Sequence, residues 1–286
     1  MAKIGIIGGG LMGTGIAYVA ARQLDAEVVV VDMTDELLKK SSASCASMGK
    51  RAVDKGQATQ PEVDTWLQRL RFTTSRKDVK GASIVIEAVL ENLELKRQVF
   101  AELDEICGDD STVLATNTTG LPITQIAAAT RRPERVIVTH FFNPVPVMKL
   151  VELVRGYCTS ATTVETSKAF CASLGKDTIV VEKDFPGFIT TRIMQGFVVE
   201  ALQCLEQGLA SAADIDKACK LAYNHPMGPF EMMDLIGLDT VLYVCESMEA
   251  AYGDSHRVSP ALRQLVGAGR LGRKTGAGFY TYGKKP

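Results

Sequence analysis

Apolar positions along this chain follow two rhythms. Up to about residue 181, short apolar runs alternate with stretches whose apolar residues recur every three or four positions. The runs at 3–7, 27–31, 83–87, 112–116, 135–139, 150–155 and 178–181 read as strands. The segments 11–22, 35–55 and 162–174 read as helices, as do a stretch opening at Pro61, the stripe Leu93, Val99, Phe100, Leu103 and Ile106, and a start at Pro122. Such alternation predicts an α/β fold of Rossmann type, a doubly wound and mainly parallel sheet. At Asp184-Phe185-Pro186-Gly187 the rhythm changes. Ile189, Ile193, Met194, Phe197, Val198, Ala201, Leu202 and Leu205 then recur at helical spacing, and Ser211-Ala-Ala-Asp214 reads as a capping box opening another helix. Further helices follow, interrupted near His225-Pro226-Met227-Gly228-Pro229 and at Gly253. The expected organisation is an α/β domain over 1–183 and an all-helical domain over 184–286.

The helical part is rich in Met and Leu, and a bundle of about a hundred residues rarely buries all of that alone. Pairing with a second copy through this domain is therefore expected, against the alternative of a self-sufficient bundle. Of the 286 residues 46% are hydrophobic, and the formal net charge is −1. That balance gives no electrostatic case for nucleic acid or a membrane surface. The opening MAKIGIIGGG already reads as strand and turn, which leaves no room for a signal peptide. The seven cysteines are scattered and never form a CxxC pair, so a reduced cytoplasmic setting is expected and no metal site.

The first strand ends at Gly8-Gly9-Gly10-Leu11-Met12-Gly13, a GxGxxG pattern with Gly8, Gly10 and Gly13 in the three places. A helix pattern follows, and a second strand ends in Asp32. Gly8 permits the tight turn, Gly10 lets the backbone approach a pyrophosphate, and Gly13 lets helix and strand pack closely. The helix N-terminus supplies N–H groups for phosphate. Asp32 suits the adenine ribose hydroxyls and repels a 2′-phosphate, and neither Met33 nor Thr34 is an arginine to hold one. The reading is NAD rather than NADP.

Three polar clusters fall at predicted strand ends: 87–92, 117–119 with Asn117 and Thr119, and His140. Ligands bind at the carboxyl ends of such strands. His140 opens the mostly apolar HFFNPVPVMKLVELV, and Glu152 is the one acid within it. Removal of a hydroxyl proton as hydride leaves carbon needs a base near neutral pH, a role suited to histidine. Glu152 would hold one ring nitrogen and stabilise the cation. His225 and His256 read as structural.

The stretches GGGLMGTGIA, EAVLEN, NTTGLPI, HFFNPVPVMKLVELV, PGFITTRI, HPMGPFEMMDLIGLDT and GRKTGAGFY occur in order across nearly the whole chain. Together they resemble the L-3-hydroxyacyl-CoA dehydrogenases, especially the short bacterial 3-hydroxybutyryl-CoA dehydrogenase type. The resemblance implies reversible NAD-dependent oxidation of (S)-3-hydroxyacyl-CoA, in fatty-acid or related metabolism, with His140 and Glu152 as the catalytic pair. It implies cofactor contacts at Asp32, Glu91, Lys96 and Asn143, beside those of Gly8, Gly10, Leu11, Met12, Gly13, Asn117 and Thr119. Substrate contacts are expected at Thr119, Asn143, Thr191 and Lys55, and a homodimer through the helical domain. The chain departs from the family pattern twice: Thr119 stands where serine is usual, and Thr191 replaces an asparagine that contacts substrate. Lys39, Lys40, Lys50, Arg51 and Lys55 are candidates for the phosphates of coenzyme A. Two alternatives stay open: a related dehydrogenase of a non-CoA hydroxy acid, and a non-catalytic dinucleotide-binding protein of the crystallin sort.

Overall fold

Eight strands pair in the order β3-β2-β1-β4-β5-β6-β7-β8 in a computed structural model that describes residues 2–108 and 111–283. They are β1 (Ala2–Ile7), β2 (Ala26–Val31), β3 (Leu70–Thr73), β4 (Ile84–Glu87), β5 (Val113–Thr116), β6 (Val136–Phe141), β7 (Leu150–Arg155) and β8 (Asp177–Val181). All neighbours are parallel except β6 and β7, which run antiparallel. Near-continuous runs such as Ala26-Glu27-Val28-Val29-Val30-Val31 suit strands covered on both faces. The edge strand β3 carries no run of this kind: Leu70-Arg71-Phe72-Thr73 is short, partly exposed and half polar. Its stability comes from pairing with β2, a neighbour that periodicity does not reveal.

Among the described residues six helices cover this sheet: α1 (Leu11–Gln23), α2 (Asp35–Asp54), α3 (Gln60–Gln68), α4 (Leu93–Cys107), α5 (Ile123–Ala127) and α6 (Ala161–Ser173). Ile16, Ala17 and Ala20 of α1 join Ile4, Ile6, Val28, Val30 and Ile86 in one core. The small α1 residues let that helix lie close to the strands, next to the turn that matters for ligand binding.

The contacts divide the chain between Phe185 and Pro186. Asp184 stays with the first unit because its carboxylate accepts from the Thr124 N–H at 2.8 Å. The second unit holds α7 (Thr190–Glu206), α8 (Ala212–Ala222), α9 (Pro229–Ile236), α10 (Leu238–Tyr252) and α11 (Pro260–Gly267) around Val198, Leu202, Phe230, Met233, Val241, Cys245 and Leu262. Ser211 caps α8 by accepting from the Asp214 N–H at 3.1 Å.

Two buried acids clamp this unit. Asp216 accepts from the N–H groups of Phe230 and Glu231 at 2.8 and 3.0 Å and from the Tyr280 hydroxyl at 2.6 Å. Asp234 accepts from the N–H groups of Phe279 and Tyr280, each at 3.0 Å, and from the Tyr282 hydroxyl at 2.9 Å. Glycine makes the second clamp possible, since a Cβ at Gly278 would stand 1.9 Å from Asp234 Oδ1. Among the described residues no helix is long and apolar enough to cross a membrane.

Candidate active site

The turn between β1 and α1 is built for a close approach. Gly8 has φ +101°, and a Cβ there would meet the Ala88 carbonyl at 2.7 Å. A Cβ at Gly13 would come within 1.8 Å of the Gly8 carbonyl oxygen, so only glycine lets the helix start here. Gly10 caps α1 with no side-chain hydrogen bond, and a Cβ on it would point into open space. First-turn N–H groups thus face a cradle with room for a phosphate, flanked by the half-buried Met12 and the exposed Leu11.

At the end of β2, Asp32 Oδ2 accepts from the Gly9 N–H and Oδ1 from the Met33 N–H, each at 2.7 Å. The turn therefore orients the carboxylate, whose further lone pairs suit ribose hydroxyls. Beside it lies a cavity of about 160 Å³ lined by Gly8, Asp32, Met33, Val89, Arg76 and Glu102. Arg76 is an addition to the sequence reading, which weighed only the residues next to Asp32. Its guanidinium is engaged by Glu102. The cradle, the oriented acid and this cavity fit an NAD pyrophosphate, adenine ribose and adenine in order.

Glu87 ends β4 and is buried. Its Oε1 accepts from the Val89 N–H at 2.6 Å and the Lys96 ammonium at 2.7 Å, and its Oε2 from the Thr116 hydroxyl at 2.7 Å. Lys96, only 1% exposed, lies 3.4 Å from Glu91 Oε2 as well. Glu91 in turn accepts from the Thr118 hydroxyl and from the N–H and hydroxyl of Thr119 at 3.0 and 3.3 Å. The structure thus gathers Glu91, Lys96 and Thr119 into one network. Glu87 is the member that sequence reading noted only as part of a polar cluster. Asn117, also buried, spends its carbonyl oxygen on the Phe141 N–H at 2.8 Å, which ties the end of β5 to the strand bearing His140.

His140 and Glu152 are direct register partners across the antiparallel β6–β7 pair. His140 Nδ1 and Glu152 Oε2 are 2.7 Å apart, and the residues are 4% and 0% exposed. The Phe142 ring lies 4.4 Å from the imidazole, centroid to centroid. An ionised carboxylate only accepts, so Nδ1 is the donor in this pair.

Asn143 and Lys55 line one cavity of about 580 Å³, with Leu11, Tyr18, Arg22 and Arg51. This is a size suited to a small organic ligand, with apolar walls and three cations. Of the five cations proposed for phosphates, only Arg51 and Lys55 line it. Lys50 instead pairs with Asp54 at 2.9 Å, one helical turn on. Arg22, one turn after Tyr18, was not foreseen, because its helix face is set by packing. Thr191 lies on the first turn of α7, in the helical unit. There Gly187 has φ +76°, and Arg192 donates its N–H to the Gly187 carbonyl at 3.0 Å. Among the described residues no cluster of three His, Cys, Asp or Glu side chains is placed to hold a metal ion.

Residues 3–185 match the family model described as 3-hydroxyacyl-CoA dehydrogenase, NAD binding domain, and residues 187–282 match 3-hydroxyacyl-CoA dehydrogenase, C-terminal domain. A probable 3-hydroxybutyryl-CoA dehydrogenase of Bacillus subtilis is 43% identical over 99% of this chain and 98% of its own. The mitochondrial hydroxyacyl-coenzyme A dehydrogenase of Rattus norvegicus is 41% identical over 97% of this chain and 90% of its own. The crystal structure of (S)-3-hydroxybutyryl-CoA dehydrogenase from Ralstonia eutropha superposes with a TM-score of 0.94 at 43% identity, covering 99% of this chain and 100% of that one.

Proposed function

The chain belongs to the 3-hydroxyacyl-CoA dehydrogenase family, and on that premise we propose that its preferred substrates are short (S)-3-hydroxyacyl-CoA thioesters such as 3-hydroxybutyryl-CoA. The protein is an NAD-dependent oxidoreductase that interconverts 3-hydroxyacyl-CoA and 3-oxoacyl-CoA. The observation that carries the proposed mechanism is the buried His140–Glu152 pair at 2.7 Å. Bound NAD supplies the hydride acceptor. His140 Nε2 takes the hydroxyl proton of the substrate, and in the reverse direction returns it to the keto oxygen. Glu152 keeps Nδ1 protonated and stabilises the imidazolium.

Asp32 selects NAD at the ribose. Glu91, held with Lys96 and Thr119 in one network, shapes the nicotinamide side, and Asn117 keeps the His140 strand end in place. The coenzyme A portion takes the cavity lined by Arg22, Arg51, Lys55 and Asn143, whose cations complement its phosphates. Thr191 donates a hydroxyl hydrogen bond to substrate in place of the family's asparagine amide. The chain pairs with a second copy through the helical unit, where Ile193, Leu221 and Tyr223 are exposed. It works in the cytoplasm, which is consistent with cysteines that form no disulfide.

The deciding experiment follows NADH absorbance with acetoacetyl-CoA, longer 3-oxoacyl-CoAs and free 3-oxo acids. The reading predicts the highest kcat/KM for acetoacetyl-CoA. Faster turnover of the free acids would overturn it. That rival has a specific basis, since a diketoreductase acting on dicarbonyl compounds shares the fold at 26% identity and a TM-score of 0.88.

A further inference from the structure

His140 and Glu152 stand on strands joined by a connector, residues 142–149. Inside it the N–H groups of Val147 and Met148 donate to the Pro144 carbonyl at 2.9 and 3.0 Å, which folds the segment tightly. Two other carbonyls, those of Val145 and Met148, turn inward. A tight turn placed this way cannot satisfy them from its own N–H groups, and a buried carbonyl without a donor is costly.

Lys176 satisfies both. Its ammonium donates to Val145 O at 2.6 Å and to Met148 O at 2.7 Å. The residue is 8% exposed and directly precedes β8, whose first N–H, that of Asp177, donates to the Lys149 carbonyl at 2.9 Å. Among the described residues no carboxylate lies within ion-pair distance of Lys176. The neighbouring thiol of Cys171 is pushed up to about 12 by burial, so it supplies no counter-charge at neutral pH. Burial also holds the lysine below its ordinary value. A charge kept here on carbonyl dipoles alone calls for a reason beyond charge pairing.

The other side of the connector supplies that reason. Val145 is buried against Gly15 of α1, where an added Cβ would stand 2.9 Å from Val145 Cγ2. Asn143, Pro144, Val145, Pro146 and Val147 form a wall of the 580 Å³ cavity that also holds Arg22, Arg51 and Lys55. The connector is thus gripped by Lys176 from within while its outer surface shapes that cavity. We propose that Lys176 is a positioning residue for acyl-CoA binding, clamping the β6–β7 connector so that the cavity wall keeps its form. This rests on the reading that the cavity takes the coenzyme A portion of the substrate.

The test compares Lys176→Met, which removes both hydrogen bonds, with Lys176→Gln, which keeps an N–H donor on a shorter neutral chain. Circular dichroism melts establish folding, and steady-state kinetics vary acetoacetyl-CoA and NADH separately. The expected result is a KM for acetoacetyl-CoA raised about tenfold in the methionine variant, as a displaced wall weakens binding. The glutamine variant should lie between it and the wild type, and KM for NADH should stay within about twofold in both. A folded methionine variant with unchanged KM for acetoacetyl-CoA would overturn the assignment. So would equal losses for both substrates, or failure of both variants to fold, since either makes Lys176 a stability residue only. A wild type that ignores acetoacetyl-CoA would count against the substrate reading itself and take this role with it, whereas wild-type turnover with unchanged KM in the variants counts against this role alone.

Discussion

Glu152 in the sheet unit and Asp234 in the helical unit are both buried carboxylates, at 0% and 1% exposure, yet they meet different partners. Asp234 meets two backbone N–H groups and a tyrosine hydroxyl, donors that keep their protons at neutral pH. It ends as a knot between α9 and the C-terminal segment. Glu152 meets the Nδ1 of an imidazole, a ring whose second nitrogen can pass a proton on. A buried acid alone therefore does not mark an active site. The chemistry of its partner distinguishes the two, since an imidazole can both take and give a proton, together with the place of His140 at the carboxyl end of β6.

The sharpest way to break this contrast is at the histidine. His140→Gln should lower kcat by about 10²–10⁴ with little change in KM for NADH. A folded variant with near-normal kcat removes His140 from the reaction. Glu152→Gln keeps the shape and deletes the counter-charge, so kcat should fall by about 10- to 10³-fold while the fold persists. If this variant loses stability instead of rate, Glu152 is a knot like Asp234 and the contrast collapses.

Asp234→Asn should give the opposite pattern. An amide there sets an N–H₂ against N–H donors, so chemical denaturation should show a loss of about 2–3 kcal/mol. The folded fraction should keep its kcat. At the cofactor end, Asp32→Ala should narrow the NADH-over-NADPH ratio of kcat/KM by about tenfold. An unaltered ratio would move discrimination elsewhere in that cavity.

The smallest effect concerns the tyrosines of the knots. Burial first, and then hydrogen bonding to Asp216 and Asp234, raises the pKa of Tyr280 and Tyr282 above the ordinary tyrosine value. A raised folded-state pKa means a contribution fully present below the unfolded value of about 10 and lost as pH rises through the folded values. Urea midpoints should therefore fall above about pH 10. Tyr282→Phe should flatten that fall at a cost of about 1 kcal/mol at neutral pH. A midpoint curve identical to that of the wild type would detach Tyr282 from the knot.

Local order in this chain was written in its apolar rhythm. Continuous runs for covered strands, the glycines of the β1–α1 turn, Asp32 after the second strand, and the change at residue 184 all depend on neighbours in sequence, as does the isolation of His140 and Glu152 in an apolar stretch. Periodicity reports which side of an element is covered, but not which element covers it. The exact opposition of His140 and Glu152 needed the antiparallel turn of β6 onto β7. The edge strand β3, Arg76 beside Asp32, Arg22 in the large cavity and Lys176 beneath the connector likewise came from tertiary structure alone. A sequence separation of 31 positions lies between the Val145 carbonyl and the Lys176 ammonium that donates to it. Such a contact leaves no local trace, because the chain meets its need for a donor wherever folding happens to bring one.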